Sequence, residues 1–346
     1  MIPAGGLLIA PSTSVPVTLT YAPPGQATHT GSITLTGSEG TSTRSFSVPL
    51  RGTGDLTGIT TETYQQPTQP VGDVLFTIDD SCSMADEQMA LGTNFASFIR
   101  YATMANLDYR IAVITTDDFS QTRQGRFVTP SGESAVITQA TPQVSDVFRR
   151  RVAVGVGGSG SERPLSTTLK ALTAPLSTGA NAGFLRDDAN LAIIIVSDAQ
   201  DQSGEPIANY TSRIPLVKGV RRRHQVSVSV IGPFSPASTG CQTEGQDTTG
   251  RYDAVIQATR GVKQTICKSN WGTDLEQLGR SALGPRNTFF VRNPPDTQQP
   301  VDVTVNGQTV SNAWNYDGAS NAIVFADGQA PGSGTTVTIT YQSMCL

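Results

Sequence analysis

Histidine is nearly absent from this chain: its 346 residues contain only His29 and His224. Neither stands beside a Ser and an Asp in the pattern of a hydrolytic triad. With two histidines and no C-x-x-C among Cys82, Cys241, Cys267 and Cys345, the chain lacks the usual ligand spacing of a zinc site, and none is expected. Charge is also scarce, at 15% of residues against roughly 25% in ordinary soluble domains. The net charge of −4 gives no electrostatic footprint for nucleic acid. The one basic cluster, Arg221-Arg222-Arg223-His224, reads as a solvated helix end. No apolar run approaches the roughly 18–20 residues of a membrane span, so membrane insertion is not expected. The opening segment MIPAGGLLIAPSTS has no basic start, so it does not read as a signal peptide. There is no G-x-x-x-x-G-K-[ST] phosphate loop. Together these absences turn the expectation away from catalysis and towards binding.

What the chain has instead is glycine (34), proline (21) and many hydroxyl side chains. Residues 1–54 alternate with period two, as in Val17/Leu19/Tyr21, Ile33/Leu35 and Phe46/Val48/Leu50, which predicts short strands. Residues 55–70 carry no periodicity and are expected to form a linker. Over 71–286 the pattern changes. Four buried-strand candidates, Val74–Ile78, Ile111–Thr115, Leu191–Val196 and Val226–Ile231, alternate with helical patterns. Among these are a Leu91/Phe95/Phe98/Ile99 stripe, Glu162–Leu176, Tyr252–Thr259 and Thr273–Leu283. Near-continuous apolar strands separated by helices predict an α/β domain with a doubly wound, mostly parallel sheet. Residues 287–346 return to β patterning, with Val301/Val303/Val305 running into Asn306-Gly307, a type I′ hairpin signal. Trp271 and Trp314 are expected to pack in cores.

The chemistry gathers where the predicted strands end. Asp79-x-Ser81-x-Ser83 follows the first strand, Asp198 follows the third, and Ser159 and Ser161 sit in the loop before the Glu162 helix. In an open α/β sheet, ligands bind beyond the carboxyl ends of the strands. Oxygen donors of this kind suit a hard divalent cation. Mg²⁺ is the first choice, with Mn²⁺ and Ca²⁺ as alternatives. The competing reading is that Ser81 or Ser83 merely caps a helix starting near Met84. Gly155-x-Gly157-x-x-Gly160 matches the dinucleotide fingerprint in form, but no acidic residue follows about twenty positions on. It reads as a flexible loop of the metal site. Asp117 and Asp118, after another strand, read as solvated loop charges.

These residues resemble a von Willebrand factor A domain with a metal-ion-dependent adhesion site, which carries D-x-S-x-S, a Thr from a second loop and an Asp from a third. The resemblance spans roughly 71–283 and includes D-x-S-C-S-M-x-x-E-Q and D-Y-R-I-A-V-I-T-T-D. It implies that Ser81, Ser83 and Ser161 ligate the cation, with Ser159 competing for the third place. Asp79 and Asp198 would hold its waters, and Asp80, Glu162 and Asp201 would add charge nearby. A carboxylate from a protein or surface partner would complete the shell. Pro49-Leu50-Arg51-Gly52-Thr53-Gly54 resembles the close of a bacterial Ig-like module, truncated at its front. The family likeness also implies a Cys241–Cys267 disulfide, which leaves Cys82 and Cys345, expected to pair. The implied role is adhesion or ligand binding at a cell surface, fibre or appendage. The alternative is a structural virion or appendage component whose A domain contacts other subunits, the chain being part of a longer exported protein or leaving without a signal, as phage components do.

Overall fold

The computed structural model describes residues 18–21, 28–39, 42–53, 58–68, 71–104, 106–234, 247–268, 271–326 and 328–343. The chain divides into two compact units. One is Met1–Thr63 with Val291–Ser311 and Val337–Leu346; the other is Tyr64–Phe290 with Asn312–Thr336.

The larger unit is built on a six-stranded sheet. Its strands are β1 (Val71–Ile78), β2 (Asp108–Thr115), β3 (Ile137–Thr138), β4 (Asn190–Val196), β5 (Val226–Gly232) and β6 (Lys263–Thr265). The spatial order is β3-β2-β1-β4-β5-β6. All neighbours run parallel except β3, which pairs antiparallel with β2. Alternate side chains of β1 serve two separate layers, which is why the strand reads as a continuous apolar run. Val74, Phe76 and Ile78 enter one layer with α1 (Ala85–Thr93), α2 (Phe95–Met104), α3 (Val144–Val152) and α7 (Trp271–Leu283). Leu75 enters the other with α4 (Pro164–Leu172), α5 (Ile207–Arg213) and α6 (Arg251–Thr259). In the first layer Phe95 stacks on Phe148 at 3.8 Å and Phe76 meets Phe98 edge-on at 5.3 Å. Each such buried ring contributes roughly 1.5–3 kcal/mol of transfer free energy. Helices α2 and α7 pack so closely that a Cβ on Gly279 would lie 1.9 Å from the Phe98 carbonyl oxygen. This is the doubly wound architecture the sequence predicts, and it covers both faces of the sheet.

The predicted Leu91–Ile99 stripe is buried throughout but not on one helix. Asn94 ends α1, its side-chain amide donating to the Ala90 carbonyl oxygen at 2.9 Å. The predicted Glu162–Leu176 helix runs only from Pro164 to Leu172. Pro164 presets the first helical φ, and Glu162 is left in the preceding loop. A three-stranded antiparallel sheet, 288–290 beside 322–325 beside 314–317, completes this unit.

In the smaller unit, Thr28–Glu39 and Ser42–Thr53 form one long antiparallel hairpin. The expected Ig-like sandwich is not present among the described residues of 1–54. Leu35, Phe46 and Val48, which should face a second sheet, are 43–64% exposed. The expected linker contains a strand, Ile59–Gln65, which joins a four-stranded sheet of order 308–309, 302–305, 336–342, 59–65. Hydroxyls help tie it down, Thr60 to Ser343 at 2.7 Å and Thr61 to Thr340 at 3.1 Å. The hairpin at Asn306-Gly307 forms as predicted, with φ of 50° and 78°.

Candidate functional site

The strand order reverses around β1: the chain leaves it towards β2 on one side and returns through β4 on the other. Asp79 and Asp198 follow these two strands, so both lie at the carboxyl-end crevice where open α/β sheets take their ligands. The two ends are stitched together. The Asp79 amide donates to the Val196 carbonyl at 2.9 Å, and the Ser197 hydroxyl donates to Asp79 Oδ2 at 2.5 Å.

Asp79 shapes the turn that carries the serines, because its Oδ1 accepts from the Ser81 amide at 2.8 Å. The Ser81 and Ser83 hydroxyls then lie 3.3 Å apart, each within reach of the other. Neither caps the following helix. Met84 is the N-cap of α1 and makes no side-chain capping bond, so the capping alternative does not hold. Cys82, between the two serines, is exposed and free. The expected Cys82–Cys345 bond is therefore corrected: in this tight turn Ser81 points inward and Cys82 outward, and Cys345 lies outside the described residues. So does Cys241, and with it the predicted partner of Cys267.

The Gly155–Ser161 loop comes to the same place by bonds the sequence does not advertise. Gln88 Nε2, on α1, donates to the carbonyls of Asp79 and Gly155, both at 2.9 Å. The Gly158 amide donates to the Asp80 carbonyl at 2.7 Å, and a Cβ on Gly158 would sit 2.3 Å from the Asp80 carboxyl group. Within the loop, Ser159 Oγ accepts from the Ser161 amide at 3.0 Å. That bond uses one of the two lone pairs on the Ser159 oxygen.

The site collects buried acid. Asp79, Asp80, Glu162 and Asp198 are all 0% exposed and Asp201 is 2% exposed. Some of this charge is matched. Arg123 pairs with Asp80, and Arg251 Nε reaches Asp201 at 2.7 Å. Burial still holds both carboxyls above the usual range. No Lys or Arg lies within 4 Å of Asp79 or Glu162 among the described residues. Glu162 Oε2 accepts from the Thr116 hydroxyl at 2.5 Å, while Oε1 is buried without a hydrogen bond. Burial, with Asp79 alongside, pushes the Glu162 carboxyl up to about 9. The residues thus combine the paired Ser81 and Ser83 hydroxyls with a cluster of buried carboxyls whose ionisation a divalent cation would favour. Among the described residues no group of three His, Cys, Asp or Glu forms a cage by itself, so a cation here would draw on hydroxyls and water.

Asp117 and Asp118 are not solvated loop charges. Asp117 Oδ1 accepts from the amides of Phe119 and Ser120, and Asp118 pairs with Lys170 and accepts from Ser166. Thr116, Ser197, Gln88 and Arg123 were missed from sequence. The first two sit directly beyond β2 and β4, where a hydroxyl following a buried strand is the signal that could have found them.

No family model matches the chain, and no curated protein does. Solved structures resemble its fold. Proximal thread matrix protein 1 from the mussel byssus aligns over 65% of this chain and 50% of its own, at 13% identity and a TM-score of 0.39. A form of that protein with zinc in its MIDAS motif gives 13% identity, 64% and 48% coverage, and 0.37. The pilus adhesin SpaC from Lactobacillus rhamnosus GG aligns over 96% of this chain and 45% of its own, at 10% identity and 0.38. The chain spans about half the length of these structures. The class its own architecture defines is a mixed α/β protein with a mostly parallel six-stranded sheet between helices, joined to antiparallel sheets.

Proposed function

We propose that the protein is a non-enzymatic, metal-dependent adhesion or ligand-binding protein of the von Willebrand factor A type. It would act outside the cell, on a surface, fibre or appendage. Ser81, Ser83 and Ser161 contact the cation, while Asp79 and Asp198 orient its waters. The ion of choice is Mg²⁺, with Mn²⁺ and Ca²⁺ as alternatives. Hydroxyls and waters neutralise a divalent charge poorly, so a partner's carboxylate gains a charge-assisted bond on completing the octahedral shell. The observation that carries this reading is the pair of uncapping hydroxyls, Ser81 and Ser83, held 3.3 Å apart by Asp79 beside buried Glu162. The test is retention of the immobilised full chain on a carboxylate-rich surface in Mg²⁺ and then in EDTA. Release by EDTA supports the shared-metal mechanism, and unchanged retention sinks it.

A second reading, assembly within a virion or appendage, is favoured by one feature. The hairpin 28–53 exposes Leu35, Phe46 and Val48 on one face, as a subunit awaiting neighbours would. Ordered stoichiometry in purified particles, with retention unaffected by EDTA, would favour it.

A further inference from the structure

The opposite end of the parallel sheet holds a cavity of about 630 Å³ within the larger unit. Asn190 and Val226, which open β4 and β5, line it, as does the last part of α7. A volume of this size falls in the range of small-molecule sites. Its wall includes three arginines, Arg260, Arg280 and Arg286, and, among the described residues, no Asp or Glu.

Two of the arginines are already matched. Arg260 pairs with Asp317 at 2.6 Å and Arg280 with Glu276 at 2.9 Å. Arg286 is different. Among the described residues its side chain makes no ion pair and no hydrogen bond, and its Nε is buried without a partner. Burial draws its guanidinium down to about 10, still charged at neutral pH. Arg286 is half-buried with its guanidinium 5.8 Å from the Phe289 ring centroid, and it lines the cavity as a cation with no anionic partner among the described residues. A second orphan lies on the same wall: Gln225 Oε1, an acceptor, is buried with no donor. Val226, Val262, Phe290 and Val324 supply apolar surface between these polar groups.

We propose that this cavity binds an N-acylated amino acid, its carboxylate on Arg286, its amide N–H on Gln225 and its side chain against the valines and Phe290. A guanidinium takes a carboxylate through two parallel bonds, and the amide N–H supplies the donor that Gln225 lacks. The same chemistry is offered by a free acyl amino acid and by the C-terminal residue of a peptide. The site lies at the amino ends of the strands, so it is independent of the metal reading.

The test is calorimetric titration of the full chain with N-acetylleucine, N-acetylleucinamide and a hexapeptide ending in leucine, all in EDTA. The carboxylate is expected to bind at least about tenfold tighter than the amide, the worth of one charge-assisted bond. Arg286→Gln is expected to erase that preference, and Gln225→Leu to weaken both ligands. Binding of the hexapeptide identifies a chain terminus as the source; binding of N-acetylleucine alone identifies a free metabolite. Equal affinity for acid and amide, a preference that survives Arg286→Gln, or absence of binding at millimolar ligand would each overturn the proposal.

Discussion

The two ends of the parallel sheet pose opposite electrostatic problems. At the carboxyl end, burial raises carboxyls: Asp80, Glu162 and Asp201 all sit above their usual range. At the amino end, burial lowers cations: Lys218 is drawn down to about 8 and Arg286 to about 10. Each end solves part of its problem internally. Arg123 and Arg251 answer Asp80 and Asp201. Asp73, also held above its usual range by burial, is answered by Arg186 at 2.8 Å. What is left over is a buried Glu162 oxygen at one end and a buried Arg286 nitrogen at the other. An unbonded acceptor at one end and an unbonded donor at the other mark where complementary ligands belong: a cation above β1 and β4, an anion below β4 and β5.

The comparison breaks most visibly at the serines. Replacing Ser81 and Ser83 together by Ala removes two proposed direct ligands and should lower Mg²⁺ affinity by more than about 100-fold. That exceeds the 10–100-fold typical of an indirect partner, and calorimetry would read it. The next effect separates the two loop candidates. Ser161→Ala should weaken Mg²⁺ by about tenfold and Ser161→Thr should retain it, while Ser159→Ala, acting only through the Ser161 amide, should cost less. Equal losses at 159 and 161 would move the ligand to Ser159.

A smaller effect concerns stability without metal. Glu162→Gln keeps an oxygen for the Thr116 hydroxyl and matches a carboxyl that is protonated at neutral pH, so the EDTA-treated variant should melt within about 2 °C of wild type at pH 7. A clearly higher melting point would show that Glu162 is ionised in the metal-free protein, against its raised pKa. The smallest effect lies at the amino end and is read as pH dependence. The folded-state pKa of Lys218, about 8, lies below its unfolded value of 10.5. Between these values the unfolded chain binds more protons, so this group's contribution rises with pH and is lost as pH falls through 8. Lys218→Met should flatten the stability profile between pH 8 and 10.5; an unchanged slope would contradict the assignment.

The sequence was most legible where burial is uniform. Strands β1, β2 and β4 bury apolar residues on both faces, so they announce themselves, and Asp79 is found one position past β1 and Asp198 two past β4. The type I′ turn at Asn306-Gly307 was legible for a local reason, since two successive positive φ values favour these residues. The strand Ile59–Gln65 was not. Its sequence, ITTETYQ, alternates hydroxyls with other polar groups, and it is held by partners at the far end of the chain. The break at Asn94 was hidden because the apolar stripe continues across it. Gln88 was invisible for another reason: it looks like any polar helix residue, and only the fold places Asp79 and Gly155 within its reach. Cys82 was misjudged because even cysteine counts suggest pairs, whereas the turn set by Asp79 sends this side chain to solvent.

Thermal unfolding of the EDTA-stripped full chain during a Mg²⁺ titration tests the metal centre most directly. Ligand at a hundredfold excess over Kd adds about 2.7 kcal/mol, a rise of roughly 5–10 °C for a unit of this size. The account predicts that rise in the wild type, saturable and reversed by EDTA, and little of it in Asp79→Ala, which loses the carboxylate that orders the Ser81 turn. No rise in the wild type, or the same rise in both proteins, would contradict it.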